Sequence, residues 1–398
     1  MFNSSRAISH NDELNIYRTM FSWVPVFKKK WNTDDVIDLA YGGAFVSPPE
    51  VLTDQLQSSD FRTEWHDYYL GDHEDFIQSA KNYLNKIYST TVYNHLDIMS
   101  CLGAKNGLLL TARTFLDQND KMLSTVPGYP VLQAYAASLG TKVIHLPLQE
   151  EKTFQPDLSV LSEEVLSQIK LISINYPNNP TGAVLKPQYL KNIISICKEY
   201  NILLINDCAY TAINRHPSMR LSVFSEKNAE DVALEIHTLS KSFQIPGWRV
   251  GFIAGNNDLL DKIRVTRSMM ESGQARFLCR SVLSALNSPE IYLERLNSHI
   301  ERRIKLISDV FSHAGFIVTS SAGTFFILVS HPEVDDCISF AKELASETGI
   351  FILPLGEGYK QLRVSMTWKF RSEEHDLSVT KELSERLLKY MQKGEYSK

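Results

Sequence analysis

Short apolar runs alternate with amphipathic stretches through the middle of the chain. Lys170-Leu171-Ile172-Ser173-Ile174-Asn175 reads as a strand ending in a Pro/Asn/Gly loop. Pro187 to Tyr200 follows with Leu190, Ile193, Ile194, Ile196 and Cys197 at helical spacing, and Asn201 stands where a C-cap belongs. Ile202–Ile205 reads as a buried strand, and Leu234–His237 as the start of another. Strand-helix-strand alternation predicts an α/β sheet, mostly parallel, with helices on both faces. Ligands on such sheets sit at the carboxyl ends of the strands. Asn179, Asp207 and Lys241 fall just beyond three of them.

The pattern changes towards the C-terminus. Pro289 to Phe316 is a long amphipathic stretch, and Gly323–Val329 and Leu362–Met366 read as strands among further helices, which predicts a smaller α+β domain. The 398 residues are 43% hydrophobic and 22% charged, enough for a large core. A net charge of -5 leaves no basic footprint for nucleic acid, and the one basic run, Lys28-Lys29-Lys30, reads as a solvated face. The five cysteines, Cys101, Cys197, Cys208, Cys279 and Cys337, are odd in number and lack any C-x-x-C pair. That argues against a disulfide framework or a zinc knuckle and for reduced thiols in the cytoplasm. The polar opening Met1-Phe2-Asn3-Ser4-Ser5-Arg6 is not that of a secretory signal, and the apolar runs are too short to span a bilayer.

Chemistry concentrates in Thr238-Leu239-Ser240-Lys241-Ser242-Phe243, followed by Pro246-Gly247-Trp248-Arg249-Val250-Gly251. A lysine whose pKa is lowered captures a carbonyl, and an arginine eight positions on among hydroxyls suits a phosphate. Both needs meet in pyridoxal 5'-phosphate (PLP). Alone, the stretch also reads as a surface lysine before a loop. In Asn206-Asp207-Cys208-Ala209-Tyr210, Asp207 could hold a protonated pyridine nitrogen and Tyr210 could donate to the ring hydroxyl; a capping Asp and a packing Tyr fit equally well. Tyr176-Pro177-Asn178-Asn179-Pro180-Thr181-Gly182 either presents the Asn179 amide to a ring oxygen or is a plain turn. Gly103-Ala104-Lys105-Asn106-Gly107 opens the apolar helical run Leu108–Ala112, so its amides suit an anion or an ordinary helix start.

These motifs, in order from Asp38 to Met366, resemble the class I/II aminotransferases, the fold-type I PLP enzymes. The resemblance implies a large PLP-binding domain over 61–285, with a mostly parallel sheet covered by helices. It implies a smaller α+β domain over 286–398, joined by residues 1–60. Lys241 becomes the Schiff-base and proton-transfer lysine, with Asp207, Tyr210 and Asn179 around the ring. Tyr129, in Pro127-Gly128-Tyr129-Pro130, stacks on the ring. The phosphate goes to the amides of Ala104 and Lys105, the hydroxyls of Thr238 and Ser240, and Arg249. Arg363 clamps the substrate carboxylate, with Gly42 and Asn179 beside it. Tyr69, in preference to Tyr68, reaches the phosphate site of a second subunit, which implies a homodimer with shared active sites. No metal is implied.

The implied activity moves an α-amino group from an amino acid to a 2-oxo acid in ping-pong fashion through pyridoxamine phosphate. A lyase, a cyclase or an amino acid oxidase on the same fold is the alternative. Several positions depart from the common pattern. Cys208 replaces an acidic residue, so the motif is closer to the LL-diaminopimelate and valine–pyruvate aminotransferase groups, and Lys105 also resembles the diaminopimelate group. Asp72-His73-Glu74 replaces a glycine-containing stretch, and Arg280 stands where a glutamine is common. Arg280, Glu271 and Arg276 read as solvated charges, with contact to the substrate or a dimer interface as the alternative, and Cys208 reads as a packed small residue. A specificity group is expected from Trp23 or Tyr41, with Phe326 and Tyr359.

Overall fold

The computed structural model describes residues 24–32, 35–52, 68, 71–320, 322–356 and 358–394. The short β1 (Ile37–Asp38) precedes the strands of the central sheet. These are β2 (Asp97–Cys101), β3 (Lys121–Val126), β4 (Lys142–Pro147), β5 (Ile169–Asn175), β6 (Leu203–Asp207), β7 (Ala233–Thr238) and β8 (Gly251–Gly255). Their order is β2-β8-β7-β6-β5-β3-β4. The neighbours from β7 to β4 pair in parallel, while β8 runs antiparallel to both β7 and β2. β8 is buried at every position, as expected of a strand covered on both faces.

Helices α1 (Glu74–Tyr88), α2 (Ala104–Phe115), α3 (Pro187–Tyr200) and α4 (Asn257–Met270) accompany this sheet. α3 starts on proline and ends on Asn201 in the left-handed conformation (φ 54°), which asparagine tolerates. Two short helices follow, α5 (Arg276–Ser281) and α6 (Leu283–Asn287), separated at Val282. The long amphipathic stretch forms α7 (Glu290–His313). The basic run is not wholly solvated, because Lys28 Nζ lies 2.5 Å from Asp38 Oδ2.

The remaining strands are β9 (Ile317–Ser320), β10 (Phe326–Ser330), β11 (Ile350–Phe351), β12 (Leu353–Pro354) and β13 (Leu362–Ser365). They make an antiparallel sheet, β12-β13-β10-β9, and a parallel pair of β1 with β11. The pairing runs on past β1, since Leu39 N donates to Phe351 O and Ser365 N to Leu39 O, both at 2.8 Å. The segment after β1 is thereby hung on β13.

A buried ion pair fixes β13 in turn. Arg303 on α7 is fully buried and meets Asp376, in the first turn of α8 (Glu373–Met391), at 3.0 and 2.7 Å. Its Nη1 donates to the carbonyls of Met366 and Trp368 just beyond β13, and the guanidinium stacks 4.0 Å from the Trp368 ring. Trp368 Nε1 donates to the same carboxylate. A buried pair is strongly destabilising when only one member is removed, because the survivor keeps its desolvation penalty. Asp376→Ala should therefore destabilise the protein by about 3–5 kcal/mol, and pairing it with Arg303→Met should recover a large part of that loss. Urea unfolding of the single and double variants tests this; equal losses in both would show that packing, not the stranded charge, governs.

Candidate active site

The C-terminal edge of the parallel strands gathers the expected residues. β5 leads to Asn179, β6 ends on Asp207 and leads to Tyr210, and β7 ends on Thr238 and leads to Lys241. β2 leads through Gly103 to Ala104 and Lys105 at the start of α2, and β3 leads to Tyr129. Because β8 is antiparallel, its beginning lies at this same edge, and that brings in Arg249. Gly251 opens β8 between two strands, and a Cβ there would sit 2.6 Å from His237 O and 2.8 Å from Gly103 Cα.

Thr238 caps the helical turn Leu239–Ser242 by accepting from Ser240 N, and its hydroxyl lies 2.9 Å from that of Ser240. The turn carries Lys241 inwards. Lys241 Nζ donates to Gly42 O at 2.5 Å and lies 5.9 Å from the Phe325 ring centroid. Burial, followed by the like charges of Arg363 and Arg249, lowers its pKa to about 8. An amine in that range is partly neutral near physiological pH, as a carbonyl-capturing lysine must be.

Asp207 has the opposite displacement. Burial pushes its carboxyl up to about 7, opposed by the Ala209 amide, which donates to Oδ1 at 3.2 Å. Among the described residues no cation lies within ion-pair distance of it. Asn175 at the end of β5 braces the neighbourhood: its Nδ2 donates to Asp207 O and its Oδ1 accepts from Asn179 N, at 2.9 and 2.8 Å. Tyr210 is buried with its ring edge-on to Phe325 and Phe326. Cys208 is buried, and burial holds its thiol well above the usual range, which suits packing rather than nucleophilic work.

At the other end of the cleft, Gly103 adopts φ 79°, and a Cβ on it would lie 2.6 Å from Arg249 Nη2. Asn106 N and Gly107 N turn back to Gly103 O, whereas the amides of Ala104 and Lys105 are the first of α2 and precede any in-helix acceptor. Arg249 is exposed, with its guanidinium donating to Pro246 O and Leu102 O.

Arg363 on β13 is buried. It donates to Asn179 Oδ1 at 2.8 Å and to Ala40 O at 2.5 Å, with its guanidinium 4.1 Å from the Phe326 ring. Ala40, Tyr41 and Gly42 offer successive carbonyls to Arg363, Thr367 and Lys241. A Cβ on Gly42 would meet Phe325 at 3.3 Å, so a larger residue would press on the aromatic floor.

The structure therefore brings Lys241, Asp207, Asn179, Tyr210, Arg363 and Gly42 together, with Thr238, Ser240, Arg249, Ala104 and Lys105 along one edge. Tyr129 is half-buried and packs against the apolar cluster beneath α2. Tyr69 and Trp23 lie outside the described residues, and Tyr68 is 85% exposed. Tyr41 is exposed, and Phe326 is buried in the floor. Glu271 is not simply solvated, because it accepts from Asn106 Nδ2 at 2.9 Å. Asn175, Phe325, Asn106 and Gln274 were not singled out from the sequence. Asn175 had a signal, since it closes the strand that leads to Asn179; Gln274 had none.

The aminotransferase class I and II family profile matches residues 34–373. The chain is 30% identical over 341 residues to an LL-diaminopimelate aminotransferase of Aquifex aeolicus, covering 84% of this chain and 87% of that one. Its fold is similar to substrate-bound BacF from Bacillus subtilis, with a TM-score of 0.88, 23% identity and 98% of each chain covered. It is also similar to an aspartate aminotransferase of Thermus thermophilus, with a TM-score of 0.82, 17% identity and coverage of 97% of this chain and all of that one. The site geometry and these likenesses agree, and the chain belongs to the class I and II aminotransferase family.

Proposed function

We propose that this protein is a PLP-dependent aminotransferase that moves the α-amino group of an amino acid to a 2-oxo acid. The observation that carries the reading is the presence, at adjacent strand ends, of a half-buried lysine with lowered pKa and a buried carboxylate that has no counter-ion among the described residues. That pair fits PLP at both ends. Asp207 suits a protonated ring nitrogen, and Lys241 suits an aldehyde. The pinch between Gly103 and Arg249 leaves backbone and guanidinium donors for a phosphate.

When bound, PLP supplies an aldehyde that captures amines and a cationic ring that draws electrons from the α-carbon. Lys241 Nζ, neutral for part of the time, takes and returns the α-proton. Asp207 keeps a positive charge opposite it, and Asn179 and Tyr210 orient the ring oxygen. Tyr129 would supply an aromatic face to the ring. The amides of Ala104 and Lys105, the hydroxyls of Thr238 and Ser240, and Arg249 hold the phosphate. Arg363, flanked by Gly42 and Asn179, binds the substrate carboxylate as a fork.

The same reading makes the protein a homodimer with shared sites, in which Tyr69 completes the partner's phosphate site. Val265, Met269 and Met270 on α4 and Phe277 on α5 are exposed apolar side chains on the two helices that flank the loop of Glu271 and Gln274, and they would suit contact with a second copy. All five thiols are free and buried, which supports a reducing, cytoplasmic setting. Among the described residues no helix is long and apolar enough to cross a membrane.

Mixing PLP-loaded protein with pooled amino acids, without an acceptor, tests the reaction by mass spectrometry of the cofactor. Accumulated pyridoxamine phosphate is expected. Retained PLP with a consumed amino acid would instead indicate lyase or cyclase chemistry. Lys241→Ala should abolish turnover; substantial steady-state turnover in that variant would overturn the assignment. Arg363→Lys should lower kcat/KM by at least about tenfold while PLP stays bound, because an ammonium cannot reproduce the two-pronged contact.

The two displaced pKa values also set a pH dependence for the cofactor-free protein. Asp207 is raised from 3.8 to about 7, so between those values the folded state binds more protons than the unfolded one, and stability falls as pH rises. Above about 7 the penalty is complete, at most on the order of 4 kcal/mol. Asp207→Asn should therefore raise the melting temperature of cofactor-free protein by a few degrees at pH 8, with the gain shrinking towards pH 4. The same change should weaken PLP binding. A melting temperature unmoved at pH 8 would show that the carboxylate is compensated within the protein.

A further inference from the structure

The loop between α4 and α5 closes a ring of hydrogen bonds around the phosphate edge of the site. Glu271 Oε2 accepts from Asn106 Nδ2 at 2.9 Å, and Asn106 Oδ1 accepts from Leu102 N at 3.0 Å. Leu102 O accepts from Arg249 Nη2 at 3.2 Å, and Arg249 O accepts from Gln274 Nε2 at 3.0 Å. Glu271 and Gln274 are three residues apart in the same loop, so the circuit returns to its start. It joins the turn before α2, the segment leading into β8 and the loop itself, three separate pieces of the chain.

Two features mark this circuit as more than surface decoration. Arg249 holds a left-handed backbone (φ 56°) that a non-glycine residue adopts only when its surroundings impose it. The carbonyl held by Gln274 belongs to that residue. Gln274 is buried, and its Oε1 has no hydrogen-bond partner among the described residues. Burying a half-satisfied amide opposes folding, so packing alone is a poor reason for it.

We propose that Gln274 and Glu271 are positioning residues for the phosphate cradle: their loop clasps Arg249 to the start of α2 and sets how tightly a phosphate monoester is held, without touching it. This rests on the PLP reading above. The clasp acts in two places. Through Gln274 it keeps Arg249 in the conformation that points its guanidinium at Leu102. Through Glu271 and Asn106 it keeps Leu102 and Gly103 where the first amides of α2 flank that guanidinium. Opening the ring at either place loosens the same cradle, so the two defects should not add.

The test compares PLP with pyridoxal, which lacks the phosphate, as probes on the full-length protein by equilibrium titration. Gln274→Ala should weaken PLP binding about tenfold, the loss of roughly one hydrogen bond's positioning, and leave pyridoxal affinity unchanged. Glu271→Ala should do the same from the other side of the ring, and serves if Gln274→Ala does not fold. Glu271→Gln, which keeps an acceptor for Asn106, should restore affinity to near wild type. The double variant Gln274→Ala with Glu271→Ala should be no weaker than about twice either single one. Unchanged PLP affinity in both alanine variants, or an equal loss for PLP and pyridoxal, would overturn the clasp. Failure of the wild-type protein to bind PLP would overturn the reading beneath it, and the clasp with it.

Discussion

The site depends on an electrostatic arrangement that the protein does not neutralise with its own groups. Asp207 and Lys241 sit just beyond the ends of adjacent strands, each displaced from its ordinary pKa in the direction that disfavours charge. Burial is the first cause in both, and the neighbouring guanidiniums of Arg363 and Arg249 add to it for the lysine. A protein tolerates such groups only where a rigid frame leaves them no way to reach water or each other. That frame is the parallel part of the sheet, braced by Asn175, which bonds the backbone of both Asp207 and Asn179.

The one reversal in the sheet matters as much as the parallel strands. Had β8 run parallel, Arg249 would stand at the far edge, away from Lys241 and Gly103. Its antiparallel course turns an eight-residue separation into a shared site and makes Gly251 sterically obligatory. The turn at Arg249 is then held in place by bonds from elsewhere, the role argued for Gln274.

The alternation of apolar runs made β5, α3, β6 and β7 legible, because their burial on both faces or on one stripe dictates the period. The reactive side chains were legible for a different reason: each motif alone left a plain structural use open, and their joint occurrence in one order along the chain singled them out. Relations between distant segments were not legible. Nothing local distinguishes Gln274 from a solvated glutamine, since its role lies in a carbonyl twenty-five positions upstream. The sense of β8 was likewise hidden, because side-chain alternation is the same in either direction.

On the proposed function, stability and substrate recognition meet on β13. The Arg303–Asp376 pair holds the segment after this strand, and the strand presents Arg363. Arg363 already donates to two neutral oxygens, those of Asn179 and Ala40. On the proposed function, a substrate carboxylate would displace or share those acceptors, since bonds to an ionised acceptor are roughly twice as strong as bonds to a neutral one. The exchange also bears on the segment from Ala40 to Gly42, whose carbonyls hold Arg363, Thr367 and Lys241. Any group that draws Arg363 from Ala40 relaxes the same backbone that restrains the lysine amine through Gly42. On the proposed function, binding a carboxylate and freeing the amine would thus be linked through three consecutive peptide units, whose carbonyls hold Arg363, Thr367 and Lys241.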